Sequence, residues 1–214
     1  MLNNPPKLIV FDLFGTLVKP GVMHHPYRQL IKFGRENCRP VEKTDLRKIL
    51  TIDASIEEIA DLLEINAPPS LIRNLQNLID DEIQSSKLFT DALPILNHLV
   101  VHNIPFAICS NLAAPYGKTA DLLIPDFKYS RFFSYEVGFM KPESGIYQII
   151  VDHIQCNTFD CIFVGDSYDV DFLASAKHGF NSYHLVRGGN TTQKQITTLF
   201  NLVDIKIIEP KNDY

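Results

Sequence analysis

Four short segments of this sequence carry side chains that could do chemistry together. The first, Phe11-Asp12-Leu13-Phe14-Gly15-Thr16-Leu17, sets a carboxylate directly behind the apolar run Leu8-Ile9-Val10-Phe11. An Asp in that place either caps a turn or faces a ligand, and Gly15 permits a tight turn close to one. The second is Ala107-Ile108-Cys109-Ser110-Asn111. A small hydroxyl with free backbone N–H groups at a strand end can hold an oxyanion, and ordinary turn chemistry explains the same pair. In the third, Gly138-Phe139-Met140-Lys141-Pro142-Glu143, Pro142 pushes the backbone of Lys141 away from helix and suits a helix start. A Lys fixed in this way can aim its charge at an anion, although a lone Lys is usually just solvated. The fourth runs from Cys161-Ile162-Phe163-Val164 into Gly165-Asp166-Ser167-Tyr168-Asp169-Val170-Asp171. Asp169 and Asp171 suit a helix N-terminus, whereas Asp166 emerges straight from the apolar run. Clustered carboxylates raise one another's pKa unless a cation compensates. Lys141 supplies one positive charge, and an oxygen-only donor set suits Mg²⁺.

These segments need a scaffold that brings them to one edge. Apolar runs without alternation predict strands buried on both faces of a parallel sheet. Lys7 to Phe11, Ile104 to Cys109 and Asp160 to Val164 are of this kind. Asn181 to Val186 and Ile205 to Ile208 are weaker candidates, and Phe132 to Tyr135 reads as a short strand. Helical periodicity fills Asp91 to His102, Glu143 to His153 and Asp169 to Gly179. The alternation predicts an α/β fold with a doubly wound, Rossmann-like parallel sheet, in which ligands bind beyond the carboxyl ends of the strands. Asp12, Ser110 and Asp166 would all stand at that edge. One stretch breaks the alternation: Pro26 to Asn37, Lys43 to Leu50, Ser55 to Glu64 and Pro69 to Ser85 are helical patterns with no strand between them. The expected organisation is an α/β core of residues 1–18 and 88–214, with an all-helical insert over 19–87.

Composition removes whole classes of function. With 214 residues, 45% hydrophobic and 21% charged, the chain is a globular domain and not a disordered one. A nucleic-acid binder usually carries a basic face, and a net charge of −5 argues against that class. The apolar run at Leu8 to Phe11 is too short for a signal peptide or a membrane span. The four cysteines, Cys38, Cys109, Cys156 and Cys161, form no CxxC pair and read as reduced thiols. The expectation is a cytoplasmic protein without nucleic-acid or membrane partners. Oligomeric state is not legible.

In their order and at these strand ends, the four segments resemble the haloacid dehalogenase-like hydrolase superfamily. The likeness covers nearly the whole chain, with the helical insert similar to that family's first-type cap domain. The resemblance implies that Asp12 is a nucleophile and that Ser110, helped by Asn111, holds a phosphate. It implies that Lys141 balances the charge of nucleophile and intermediate. Asp12, Asp166 and the backbone carbonyl of Phe14 would be Mg²⁺ ligands, with Asp171 in support. One departure stands out: the family's phosphatases carry a general acid and base, a second Asp, where this chain has Phe14. A phenyl ring cannot transfer a proton. The dehalogenating branch has an aromatic there, because halide leaves without one, but it resembles a metal-free site with Ser at the place of Asp166. Weighing the carboxylates more heavily, the expectation is a Mg²⁺-dependent phosphomonoesterase. It would act on a small phosphorylated metabolite through an aspartyl-phosphate, slowly where the leaving group needs a proton. The alternatives are a 2-haloacid dehalogenase and a catalytically impaired module that binds a phospho-ligand or a partner. His24, His25, Tyr27 and Arg28 follow the first linker; an exposed helix start explains them equally well, and none is assigned to the site.

Overall fold

The computed structural model describes residues 6–154, 156–189 and 194–204. At its centre is a six-stranded sheet built from β1 (Leu8–Phe11), β4 (Phe106–Ser110), β5 (Ser130–Phe133), β6 (Cys161–Gly165), β7 (Asn181–Leu185) and β8 (Gln195–Ile196). The spatial order is β5-β4-β1-β6-β7-β8, and every pairing is parallel. Side chains of successive strand residues point to opposite faces. Ile9, Phe11, Phe106, Ile108, Ile162 and Val164 therefore fall into one core cluster. Leu8, Val10, Ala107, Cys109, Cys161 and Phe163 fall into the other. Burial on both faces is why these strands read as unbroken apolar runs.

Helices cover the two faces. α5 (Ala92–Val101) contributes Ala92, Ile95, Leu96 and Leu99 to the first cluster. α8 (Ser144–Ile154) contributes Ile146, Tyr147 and Ile150 to the second. α6 (Lys118–Leu123), α9 (Ala174–Lys177) and α10 (Asn201–Asp204) are short. Between β1 and α5 the chain leaves the sheet on a two-stranded antiparallel ribbon, β2 (Val18–Lys19) with β3 (Lys87–Leu88). That ribbon carries α1 (Pro26–Glu36), α2 (Asp45–Thr51), α3 (Ile56–Leu62) and α4 (Pro69–Ser85). These four helices have their own core, with Leu30, Ile49, Ile56, Ile59, Leu75 and Ile79 buried together. α3 starts at a capping box, in which Ser55 and Glu58 satisfy each other's backbone N–H groups.

Several expected boundaries shift. The strand expected at Phe132 to Tyr135 is β5, four residues beginning at Ser130, and from Ser134 the chain turns into α7 (Ser134–Val137). β5 is an edge strand, and its first residues pair with Ala107 and Ile108 without being buried, so hydrophobicity does not mark its start. The helix expected from Glu143 starts at Ser144, and the Lys141–Pro142 peptide is cis. The single helix expected over Asp169 to Gly179 divides into a wide π-helical turn, Tyr168–Leu173, and α9. The candidate strand Ile205 to Ile208 lies outside the described residues. No helix among the described residues is long and apolar enough to cross a membrane.

Candidate active site

The carboxyl ends of β4, β1 and β6 meet at the point where the sheet reverses its winding, the place where open α/β sheets bind ligands. Asp12 follows β1 immediately, and its N–H donates to the Val164 carbonyl on β6 at 2.9 Å. Ser110 closes β4, and Asp166 follows β6. The segment after α7 folds back over this edge and delivers Lys141.

Lys141 is 2% exposed, and its Nζ is surrounded by oxygen. It donates to Asp12 Oδ1 at 2.8 Å, Asp171 Oδ1 at 2.5 Å and the Cys109 carbonyl at 2.9 Å. Ser110 Oγ donates to the same Asp12 Oδ1 at 3.0 Å. Asp12 Oδ2 has no such partner among the described residues, so one carboxylate oxygen is anchored and the other is left for chemistry. Burial raises the Asp12 carboxyl to about 7, against the pull of Lys141. Burial works to lower the Lys141 ammonium, but Asp12 and Asp171 overcome it and hold its pKa well above the ordinary value.

Asp171 serves as a brace. Its Oδ1 accepts from Lys141 and its Oδ2 accepts from the Ser167 N–H at 3.0 Å. Its carboxylate lies where a Cβ on Gly165 would be, so only glycine fits at the end of β6. Asp166 is exposed, and its pKa is raised by burial of part of the group and by the neighbouring Asp171. Its carboxylate packs over Gly15, whose φ of +91° and lack of side chain both suit the tight turn after Asp12. A Cβ on Gly15 would collide with that carboxylate.

One oxygen from each of Asp12, Asp166 and Asp171 lies within 4.8 Å of the others. Three carboxylates share one buried ammonium. An all-oxygen donor set with surplus negative charge fits a hard divalent cation. The Phe14 carbonyl is a further free donor, reached by no hydrogen-bond donor among the described residues.

The Asn111 side chain is engaged within the protein. Its Nδ2 donates to the Lys141 carbonyl and its Oδ1 accepts the Lys141 N–H, both at 2.7 Å. The amide is wholly engaged in clamping the Lys141 backbone, which leaves only the Asn111 backbone free to meet a ligand. Nothing local in the sequence marks this clamp, because its two halves are thirty residues apart. A second unforeseen support is Arg187. It reaches the Thr16 carbonyl at 2.6 Å, pairs with Asp91 at 3.1 Å and lies 3.6 Å above the Phe89 ring. It thereby holds the loop that follows Asp12. The Arg187-Gly188-Gly189 stretch is recognisable in sequence, but the partners of Arg187 are not.

Beside the carboxylates, a cavity of about 580 Å³ opens between the helical segment and the sheet edge. Phe14 and Asn111 line its inner end, and His25, Tyr27 and Arg28 from the start of α1 line it too, while His24 does not. The Phe14 ring meets Tyr116 edge-on at 6.3 Å. Ring and polar contacts join the helical segment to the core, and the Tyr27 and Tyr116 rings lie 6.4 Å apart. Arg47 of α2 holds Glu143 at 2.7 Å and the Gly138 carbonyl at 3.0 Å. Glu82 of α4 accepts from the Tyr116 hydroxyl.

Comparison with known proteins agrees with this architecture. A search of curated proteins found no match. Among solved structures, a haloacid dehalogenase-family phosphatase from Thermococcus onnurineus superposes with a TM-score of 0.63 at 18% identity, covering 95% of this chain and 99% of that one. A dehalogenase superposes with a TM-score of 0.62 at 18% identity, covering 98% and 100%. A family enzyme from Bacteroides thetaiotaomicron, in complex with magnesium and inorganic phosphate, gives 0.59 at 17%, covering 88% and 98%. At such identities the likeness is one of fold. The sequence itself matches the family model for haloacid dehalogenase-like hydrolases over residues 6–179, and the chain belongs to that family.

Proposed function

We propose that this hydrolase is a Mg²⁺-dependent phosphomonoesterase acting on a small phosphorylated metabolite, with residues 19–87 serving as a cap. The observation that carries the reading is Asp166. A carboxylate beside Asp12 and Asp171, with a single ammonium among the three, weakens a nucleophile unless a divalent cation joins the group. Asp12, Asp166 and the Phe14 carbonyl would hold Mg²⁺, with Asp171 in support. The ion would supply Lewis-acid stabilisation of phosphoryl charge.

The chain's own residues do the rest. Asp12 attacks phosphorus through Oδ2 while Lys141 and Ser110 hold Oδ1, which fixes the carboxylate's orientation. The leaving alkoxide departs, and water then cleaves the aspartyl-phosphate. Lys141 and Ser110 sit where they can also meet the oxygens of the transferring group. The Asn111 amide keeps Lys141 in place, and its backbone N–H is available to the phosphate. Apolar side chains around the cavity exclude bulk water once substrate is bound.

Phe14 offers no proton. General acid catalysis is typically worth about 10²–10⁴ in rate, so esters with poor leaving groups react slowly and activated esters suffer less. Phe14 also supports a second reading, a 2-haloacid dehalogenase in which Asp12 displaces halide from carbon without metal. One panel separates them: phosphate esters and 2-chloro acids, each with Mg²⁺ and with EDTA. The proposal expects Mg²⁺-dependent phosphate release that is lost in Asp12→Asn. Chloride release in EDTA would decide for the second reading. Mg²⁺ binding without turnover of either class would mark an impaired binding module.

A further inference from the structure

The cavity beside Phe14 and Asn111 has a mainly apolar wall. Phe14, Tyr27, Ile31, Ile49, Leu112 and Tyr116 line it. Its mouth is formed in part by Val22, Met23, Val41 and Leu46, which are 45%, 62%, 55% and 58% exposed. Scattered apolar surface residues are normal, but four around one opening form a patch of the kind that marks a binding site.

The polar side chains in the same wall are already engaged with one another. Glu82 Oε1 accepts from the backbone N–H groups of His24 and His25, at 2.5 and 2.7 Å, and its Oε2 takes the Tyr116 hydroxyl. Asp45 is held by two bonds from Arg39 and by the Glu42 N–H at 2.9 Å. Ser86 donates to the Glu82 carbonyl at 2.8 Å. The Asn111 amide is committed to Lys141 at both ends. Of the lining side chains, only Tyr27 has a buried hydroxyl that finds no partner among the described residues. The remaining charged lining groups, His25, Arg28 and Glu42, are exposed.

A sugar or polyol entering the buried part of this space would strip water from several hydroxyls and meet there, among the described residues, only the Tyr27 hydroxyl unengaged, the side chains of His25, Arg28 and Glu42 being exposed. Each unsatisfied hydroxyl is penalised. An apolar group would fill the same space without that penalty, meeting three aromatic rings and a ring of aliphatic side chains. A volume of about 580 Å³ is in the range of pockets that enclose whole organic groups.

Resting on the phosphatase reading, we propose that this cavity is the leaving-group pocket and that the substrates are phosphate monoesters of bulky apolar alcohols or phenols, with at most one hydrogen-bonding group to meet Tyr27. Such a substrate places its phosphate at Asp12 and its apolar body against Phe14. The residue that removes the proton donor is then also part of the wall that selects the substrate.

The test compares benzyl phosphate with glycerol phosphate, whose alcohols are of similar acidity, so that the missing general acid affects both alike. kcat/KM is expected to favour benzyl phosphate by at least about tenfold, since even one methylene in an apolar pocket is worth tenfold or more. Binding of two phosphonates that cannot be hydrolysed, benzylphosphonate and hydroxymethylphosphonate, is measured by calorimetry with Mg²⁺ present. The benzyl compound is expected to bind more tightly by a similar factor. Leu46→Asp changes an exposed side chain at the cavity mouth, so folding is not at stake, and it should remove most of both preferences. Equal or reversed preference in the wild type overturns the proposal while leaving the phosphatase reading standing. If neither ester is hydrolysed, that reading fails, and the phosphonates still decide: selective binding of the benzyl compound sustains an apolar pocket, and equal or absent binding overturns it.

Discussion

Replacing Lys141 by Met keeps the length of the side chain and removes the one ammonium that, among the described residues, reaches two buried carboxylates. Nζ is 2.8 Å from Asp12 and 2.5 Å from Asp171, and the three side chains are 2%, 9% and 2% exposed. Removing one partner from a buried charged group leaves the others uncompensated, a loss of about 3–5 kcal/mol. Asp12 gives that loss a pH signature. Its folded pKa, about 7, already lies above the ordinary 3.8, so its ionised form costs stability as pH rises through that interval. Without Lys141 the Asp12 pKa climbs further. At about pH 5 Asp12 is protonated in both proteins, and the gap between them is at its smallest. At about pH 8 the wild type keeps an ion pair while the variant must either protonate Asp12 or bury an unpaired charge, and the gap reaches its full size. The assay is urea denaturation in EDTA at a series of pH values, reading the midpoint with the slope held constant. A variant within about 1 kcal/mol of wild type at the higher pH, or a loss that does not change with pH, would refute the reasoning.

Other outcomes follow from the same geometry. Mg²⁺ at about a hundred times its Kd should stabilise the wild type by about 2.7 kcal/mol; Asp166→Asn should lose most of this shift in thermal melts, and an unchanged shift would remove Asp166 from the metal site. Asn111→Ala deletes two hydrogen bonds and strands the Lys141 N–H, so denaturant titration should show a loss of about 1–3 kcal/mol; kcat should fall with it, as Lys141 is no longer clamped. In a series of aryl and alkyl phosphates of graded leaving-group acidity, wild-type kcat/KM should depend steeply on acidity. Phe14→Asp should flatten that slope and raise the rates of the least activated esters, and an unchanged slope would show that proton donation is not what Phe14 withholds.

How far the sequence carried these conclusions depended on how local each signal was. β1, β4 and β6 were legible because both faces are buried, and burial writes itself as a continuous apolar run. β5 begins before its apolar residues do, because an edge strand leaves Ser130 and Arg131 uncovered. α4 is legible from Pro69 to Ser85, because Leu75, Ile79 and Ile83 form a buried stripe at helical spacing. The ribbon of Val18–Lys19 with Lys87–Leu88 is too short to leave a pattern. Asp12, Ser110, Lys141 and Asp166 could be singled out because each stands beside a strand end or a proline. The clamp of Asn111 on Lys141, the hold of Arg187 on the Thr16 carbonyl and the closure of Glu82 on Tyr116 were invisible, being pairings between residues far apart in sequence. The apolar cavity was hidden for the same reason: its wall is assembled from α1, α2, α4 and the loop after β4.

The most direct measurement is to quench the enzyme in acid during turnover of a phosphate ester with Mg²⁺ and to map the phosphorylated peptide by mass spectrometry. The account predicts a phosphoryl group on Asp12, absent when Mg²⁺ is withheld and absent in Asp12→Asn. Steady Mg²⁺-dependent turnover with no phosphate on the protein, or with phosphate on a residue other than Asp12, would contradict it.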